Sequence, residues 1–244
     1  MRAIALNCDV GEGIGNDALL MPFLSSCSIA CGGHFGTAAT IDATIQLAIK
    51  SQVKIGAHPS FPDPLHFGRK QLVISKDDLR RSIASQLALF SERLAVFKVK
   101  MHHVKAHGAL YNFIAKDTEA AENYVDAIEP YITGSCLYVP YNSAIAEVAT
   151  AQGIDIVYEA FADRNYNTDL SLVARTLKNA VLSTPAAVCA HVQPMIESGR
   201  VATITGSSVP IKAGTLCIHG DHEHSVEIVK ELRHFLHKRA IRIE

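Results

Sequence analysis

A single-domain α/β barrel of parallel strands is what this sequence predicts, and three observations lead there. Short apolar β-like runs alternate with longer amphipathic stretches, the pattern of parallel strands joined by helical crossovers. Nearly every run ends in a polar residue beside glycine, as strand ends do around the open face of a barrel. At 244 residues and 48% hydrophobic, with no linker, repeat or low-complexity tract, residues 1–244 suit one undivided domain.

In chain order the expected strands are Arg2–Asn7, Ser28–Cys31, Val53–Ala57, His103–Ala106, Cys136–Val139, Asp155–Glu159 and Thr215–His219. Between them, apolar residues recur three or four apart over Ala38–Lys50, Lys76–Val96, Asp117–Ile128, Asn142–Gln152 and Glu223–Lys238, which marks helices. Ser75 before Asp77 and Asp78 is a helix start, and Gly153 after Gln152 is a stop. Two additions precede the last strand: a helix over Pro185–Gly199, and a hairpin over Val201–Ile211 centred on Gly206-Ser207-Ser208.

The 23 basic and 24 acidic residues leave a formal net charge of −1, so no long-range field favours nucleic acid or an anionic membrane. Asn7 and Asp9 interrupt the N-terminus before an apolar signal segment forms, and no later run approaches membrane length, so a cytoplasmic chain is expected. The six cysteines contain no Cys-x-x-Cys pair and read as buried, reduced thiols. A small molecule or another protein is the expected partner.

The chemistry gathers at the strand ends: Asn7-Cys8-Asp9, His34 after Cys31, His58, Lys105 with His107, Glu159, and His219 with Asp221. A parallel barrel opens all of these onto one face. Leu6–Gly13 delivers Asp9 and Glu12 into a glycine-rich loop. These acids would repel a polyphosphate, the spacing is not a dinucleotide fingerprint, and no Gly-Lys-Ser/Thr occurs; Asp9 as a helix cap is the structural alternative. Alternation along His103–Gly108 sets His103, Lys105 and His107 on one side, and an inward Lys105 needs a carboxylate or an anionic substrate. The proline-stiffened loop after His58, reaching Arg69, suits anion recognition, and Glu159 to Arg164 brings Asp163 and Arg164 past another strand. His222 and His224 fall on the first turn of a helix, facing solvent. The specific metal expectation is Asp9 with two of His34, His58, His107 and His219, a ligand set of barrel-type metal hydrolases.

Seven ordered segments then carry a resemblance: Leu6–Gly13, Ile29–His34, Gly56–Ser60, Phe67–Arg69, Val104–Asn112, Phe161–Arg164 and Cys217–Asp221. From about residue 4 to about residue 225 they closely resemble the lactam-utilisation family of 5-oxoprolinase A subunits. The resemblance implies a seven-stranded β/α barrel related to polysaccharide deacetylases. It also implies action with two other subunits to open 5-oxoproline (pyroglutamate) to glutamate at the expense of ATP. Since this chain has no recognisable ATP-binding loop, ATP is expected on the partners. Cys31-Gly-Gly-His-Phe-Gly-Thr37 departs from the family's Cys-Gly-Phe-His-Ala-Gly-Asp, and Ala106 stands where proline is usual.

Residues and resemblance together assign Asp9, His34, His58, Lys105, His107, Glu159 and His219 to catalysis. Asp9 is the general base helped by His107, and Lys105 and Arg69 hold anionic oxygens. Asn7, Glu12, Arg69, Asp163, Arg164 and Asp221 are assigned to substrate contact. A divalent metal is possible. Two alternatives stand beside this reading: a stand-alone metal-dependent deacetylase or amidase on the same barrel, and a non-catalytic subunit that binds substrate for its partners.

Overall fold

The computed structural model describes residues 3–244, and the expected strand start at Arg2 lies outside them. Seven parallel strands close a barrel: β1 (Ala3–Val10), β2 (Ser26–Ala30), β3 (Lys54–His58), β4 (His103–Val104), β5 (Cys136–Pro140), β6 (Ile156–Phe161) and, after the antiparallel hairpin of β7 (Arg200–Ala202) and β8 (Ser208–Pro210), β9 (Thr215–Cys217). Closure is the β1–β9 pairing, Ala5 to Asn7 against Thr215 to Cys217. A short β10 (Arg242–Ile243) extends the sheet beside the start of β1.

The helices are α1 (Asp17–Leu20), α2 (Ala38–Lys50), α3 (Lys76–Phe97), α4 (Gly108–Lys116), α5 (Thr118–Ile132), α6 (Ala144–Ala151), α7 (Pro185–Glu197) and α8 (Ser225–Lys238). Their starts follow the sequence: Thr37 and Thr40 form a capping box on α2, and Ser75, Asp117, Ser143 and Thr184 cap α3, α5, α6 and α7. Among the described residues no helix is long and apolar enough to cross a membrane.

Alternation along β1 explains both the core and the site. Ile4, Leu6, Cys8 and Val10 are buried in the apolar cluster between sheet and helices, while Asn7 and Asp9 reach across the barrel to other strands. The barrel interior is polar. Ser26 bonds Tyr138, Ser28 bonds His103, and the His103 and Tyr138 rings stack 3.9 Å apart. Hydrogen-bonded side chains thus fill a lumen that apolar layers fill in other small barrels.

Two differences from the expected elements bear on the site. Segment 108–116, not read as a helix, is α4; its first residue, Gly108, has φ +57° and a side chain there would sit 2.6 Å from the Gly68 carbonyl oxygen. The fourth strand ends at Val104 rather than Ala106, yet Lys105 N–H and His107 N–H still donate to the Ala57 and Pro59 carbonyls, keeping the chain extended beside β3. The added helix and hairpin are where the sequence places them.

Gly56 sits under the His103 ring: a Cβ there would lie 2.3 Å from it. His103 is fully buried and fixed by Ser28 and Tyr138, so it has nowhere to retreat. Gly56→Ala is expected to destabilise the fold by about 1–3 kcal/mol, the cost of overpacking a tight core. Urea denaturation reads it, and an unchanged midpoint would show that the ring moves freely.

Candidate active site

Three strands meet on the ammonium of Lys105, just past β4. Lys105 Nζ, 1% exposed, donates to Asp9 Oδ1 at 2.8 Å and Asn7 Oδ1 at 3.4 Å, lies 3.0 Å from Glu159 Oε1, and reaches Cys217 Sγ at 3.2 Å. Asn7 is itself held by Glu159 Oε1 and Thr215 Oγ1 through its amide N–H groups, at 2.9 and 2.8 Å. Burial alone would lower the lysine pKa, but Asp9, Cys217 and Glu159 hold it well above the ordinary value. Asp9 is affected in the complementary sense: burial would raise it, while His58, when protonated, and Lys105 hold it well below the carboxylate range. The floor therefore carries an ammonium beside a carboxylate.

Three imidazoles pack beside this pair, and their tautomers follow from backbone contacts. His58 Nδ1–H donates to the Lys105 carbonyl at 2.8 Å, and His107 Nε2–H donates to the Phe67 carbonyl at 2.9 Å. In the neutral rings, His58 Nε2 and His107 Nδ1 are then both bare, and they face each other at 2.9 Å. Asp9 Oδ2 lies 3.2 Å from the first and Glu12 Oε1 3.3 Å from the second. His34 stacks on His107 with centroids 3.7 Å apart and bonds Glu12 Oε1 at 3.0 Å.

Two bare nitrogens face each other with one carboxylate beside each, an arrangement that needs a cation or a shared proton. Charge says the same. Asp9 and Glu159 pair with Lys105 while Glu12 faces His107, so three carboxylates share one ammonium and two negative charges are in excess while the imidazoles are neutral. Burial pushes His34 down to about 4, burial also lowers His107, and Glu12 is held well below its ordinary value by His107, when protonated, and by His34 against the upward pull of burial. Asp9, His58 and His107 offer ligand atoms within 4.8 Å of one another, as do Glu12, His34 and His107, and Asp9, Cys217 and His219. The first set is one the sequence proposed, and the inward bare nitrogens suit a divalent ion.

Above this floor is a cavity of about 490 Å³ lined by Asp9, Glu12, Lys105, His107, His219, Tyr111, Phe161, Arg69, Arg164 and the segment Leu172–Thr176. Its rim is cationic: Arg69 and Arg175 both bond Asp221 Oδ2, at 2.5 and 3.1 Å. Burial would raise Asp221, but Arg175, His219 and Arg69 keep it below the carboxylate range. Asp163 accepts the backbone N–H of His219 at 2.8 Å and its ring Nδ1–H at 3.0 Å, fixing that imidazole at the wall.

Several expected roles shift with this geometry. His34, His58 and Glu159 do not line the cavity but stand behind residues that do, since stacking and ion pairing bury them. Asn7, expected to touch substrate, is fully buried beneath Lys105. Lys105, expected to hold substrate anions, already has its donors committed to protein acceptors. The Arg164 guanidinium donates to the Val173 and Ala180 carbonyls at 2.6 and 3.3 Å, so it pins the loop over the cavity, and burial lowers its pKa to about 10. His222 and His224 precede α8; His222 is half-buried rather than solvent-facing. Sequence reading missed Arg175, which lies in a stretch with no periodicity. It also missed Cys217, although alternation from His219 places it inward.

The LamB/YcsF family profile matches residues 4–244. The A subunit of 5-oxoprolinase from Alkaliphilus metalliredigens is 37% identical, over 100% of this chain and 97% of that protein. The protein of the same name from Acinetobacter baumannii (strain ACICU) is 40% identical, over 98% and 96%. A lactam utilization protein from Thermus thermophilus superposes with a TM-score of 0.91 at 30% identity, with 99% of each chain covered. The family 4 carbohydrate esterase of Streptomyces lividans, 10% identical over 99% and 91% with a TM-score of 0.50, shares the barrel fold alone. This chain belongs to the LamB/YcsF family.

Proposed function

We propose that this chain is the lactam-opening subunit of an ATP-dependent 5-oxoprolinase, working with two partner subunits that bind ATP and activate 5-oxo-L-proline. The observation that carries the reading is the Asp9 carboxylate at the cavity floor, kept ionised by Lys105 and lining the cavity where a bound lactam would sit. The names and close similarity of the relatives support the substrate.

A five-membered lactam resists water because its amide is weakly electrophilic. Phosphorylation of the lactam oxygen on the partners makes the ring carbon electrophilic. Asp9 takes a proton from water as the new C–O bond forms, and His107, beside it, helps carry that proton. The C–N bond then breaks, the nitrogen leaves as an amine after taking a proton from this cluster, and the product is a γ-glutamyl phosphate. A second water releases phosphate and glutamate. Arg69, at the rim, holds anionic oxygens by charge-assisted bonds, while Lys105 keeps Asp9 charged and in place. A divalent ion held by Asp9, His58 and His107 would supply a polarised carbonyl and a more acidic water.

The bare imidazole nitrogens favour a second reading, an amidase working alone with its own metal. Combining the chain with its partner subunits, 5-oxoproline and ATP separates the two. Wild type is expected to release glutamate, and a folded Asp9→Asn variant to lose at least about a hundredfold of that rate. ATP-independent amide hydrolysis by the chain alone would establish the second reading, and full complex activity with Asp9→Asn would mean that this chain only carries substrate.

Because burial lowers His107 below its ordinary 6.5, its bare nitrogen persists into mildly acid solution. The acid limb of the rate profile is therefore expected below pH 6.5, and a half-activity point at or above that value contradicts the role given to His107. For the metal, thermal unfolding of the chelator-treated chain with and without added Mn²⁺ or Zn²⁺ is the direct reading. Saturating ion should raise Tm for wild type and not for His58→Gln; a wild-type Tm that stays put leaves a shared proton as the cation of the cluster.

A further inference from the structure

The rim of the cavity carries a feature that the lactam alone does not require. Arg69 and Arg175 come from distant parts of the chain and end on the same oxygen, Asp221 Oδ2. Each guanidinium has five N–H donors, so one shared carboxylate oxygen leaves most of them unused. Both arginines line the cavity and are partly exposed, at 40% and 29%, whereas Asp221 is 14% exposed and not part of the lining.

Both arms are held in place. Arg69 lies over the Phe67 ring at 5.0 Å, in a loop tied down by Gly68 N–H to Asp63 O and by Ala109 N–H to Gly68 O. Arg175 projects from the loop that Arg164 pins through the Val173 and Ala180 carbonyls, with Val173 N–H donating to Asn165 O. Position, charge and spare donors are those of an anion clamp whose present occupant is the protein's own carboxylate.

Size bears on what the clamp receives. A cavity of about 490 Å³ is in the range that encloses drug-sized ligands, well beyond a lactam of about nine non-hydrogen atoms. The floor is anionic, so an added anionic group is repelled from Asp9 and Glu12 and drawn to the rim.

We propose that Arg69 and Arg175 form a clamp for a phosphoryl dianion, with Asp221 as a placeholder that holds both guanidinium groups until the phosphoryl group displaces it. The proposal rests on the reading that this site receives a phosphorylated lactam, and it adds Arg175 and Asp221 as determinants of that preference. The clamp fixes the phosphoryl end at the rim and so aims the activated carbon at Asp9. Arg175 contacts the ligand; Asp221 acts through the arginines.

The test titrates the isolated full chain with inorganic phosphate at low ionic strength, with acetate as the monoanion control. Wild type is expected to bind phosphate saturably and more tightly than acetate. Arg175→Gln should weaken phosphate binding about tenfold or more, with Arg175→Lys intermediate because it keeps charge without the two-point fork. Asp221→Asn should tighten it several-fold by removing the internal competitor. Equal phosphate binding by wild type and folded Arg175→Gln overturns the clamp, as does equal affinity for phosphate and acetate. Weaker binding by Asp221→Asn overturns the placeholder role. If Arg175→Gln does not fold, wild-type strength in Arg175→Lys also overturns it. This readout needs neither ATP nor partners: Arg175-dependent phosphate binding without any glutamate release sinks the lactam reading and leaves the clamp standing, and the reverse pattern does the opposite.

Discussion

The buried ammonium of Lys105 is the constraint on which the site depends. Removing an isolated charge from water costs far more than any single contact returns, so the ion persists in the barrel only because several strands answer it together. β1 supplies Asn7 and Asp9, β6 supplies Glu159, and β9 supplies Cys217, each at the inward phase of its strand. The β1–β9 closure thus does more than complete a sheet. It brings Asn7 level with Cys217 and lets one amide bridge Glu159 and Thr215, so barrel geometry and site electrostatics are parts of one arrangement. Deleting Asp9 or Glu159 removes a counter-charge of the ammonium in a medium that screens charge poorly.

From that floor a gradient of charge runs outward. Acidic groups outnumber the ammonium around Asp9 and Glu12, and arginines outnumber the acid at the rim. A ligand that is electrophilic at one end and anionic at the other has a single favourable orientation in such a field. The same gradient explains why the imidazole cluster is built with protonated nitrogens outward, toward backbone carbonyls, and bare nitrogens inward: the excess negative charge at the floor calls for a cation there, and only inward lone pairs can share in holding it.

Much of this was legible in the sequence because alternation is a strong signal when one side of a strand is polar. The strands, the convergence of Asp9, His58, Lys105 and His107, and the inward lysine with its need for a counter-charge all follow from period two and strand ends. Depth was not legible. Nothing in a linear pattern separates a residue that lines a cavity, such as His219, from one stacked behind it, such as His34, because that depends on how neighbouring rings fill space. Arg164 and Arg175 show the other limit. They lie in a loop without periodicity, and their different roles are set by which one finds backbone carbonyls within reach. Helix α4 escaped notice because it starts directly after a strand-like segment and His107 offers no side-chain cap, so no punctuation separates the two.

The polar lumen below the floor completes the logic. An apolar plug in its place would be cheaper to bury but would leave Lys105 facing hydrocarbon on one side, lowering its pKa and loosening its hold on Asp9. Instead Ser28 and His103, with Tyr138 stacked beneath the ring, form a layer whose members satisfy one another. His103 is kept neutral there, since burial, His102 and Lys105 all push its pKa down. A neutral dipolar layer under a charged one supports the ammonium without adding a competing charge, and its tight fit against Gly56 fixes the height at which β3 delivers His58. The rigidity of the chemistry at the open end is therefore rooted in packing at the closed end.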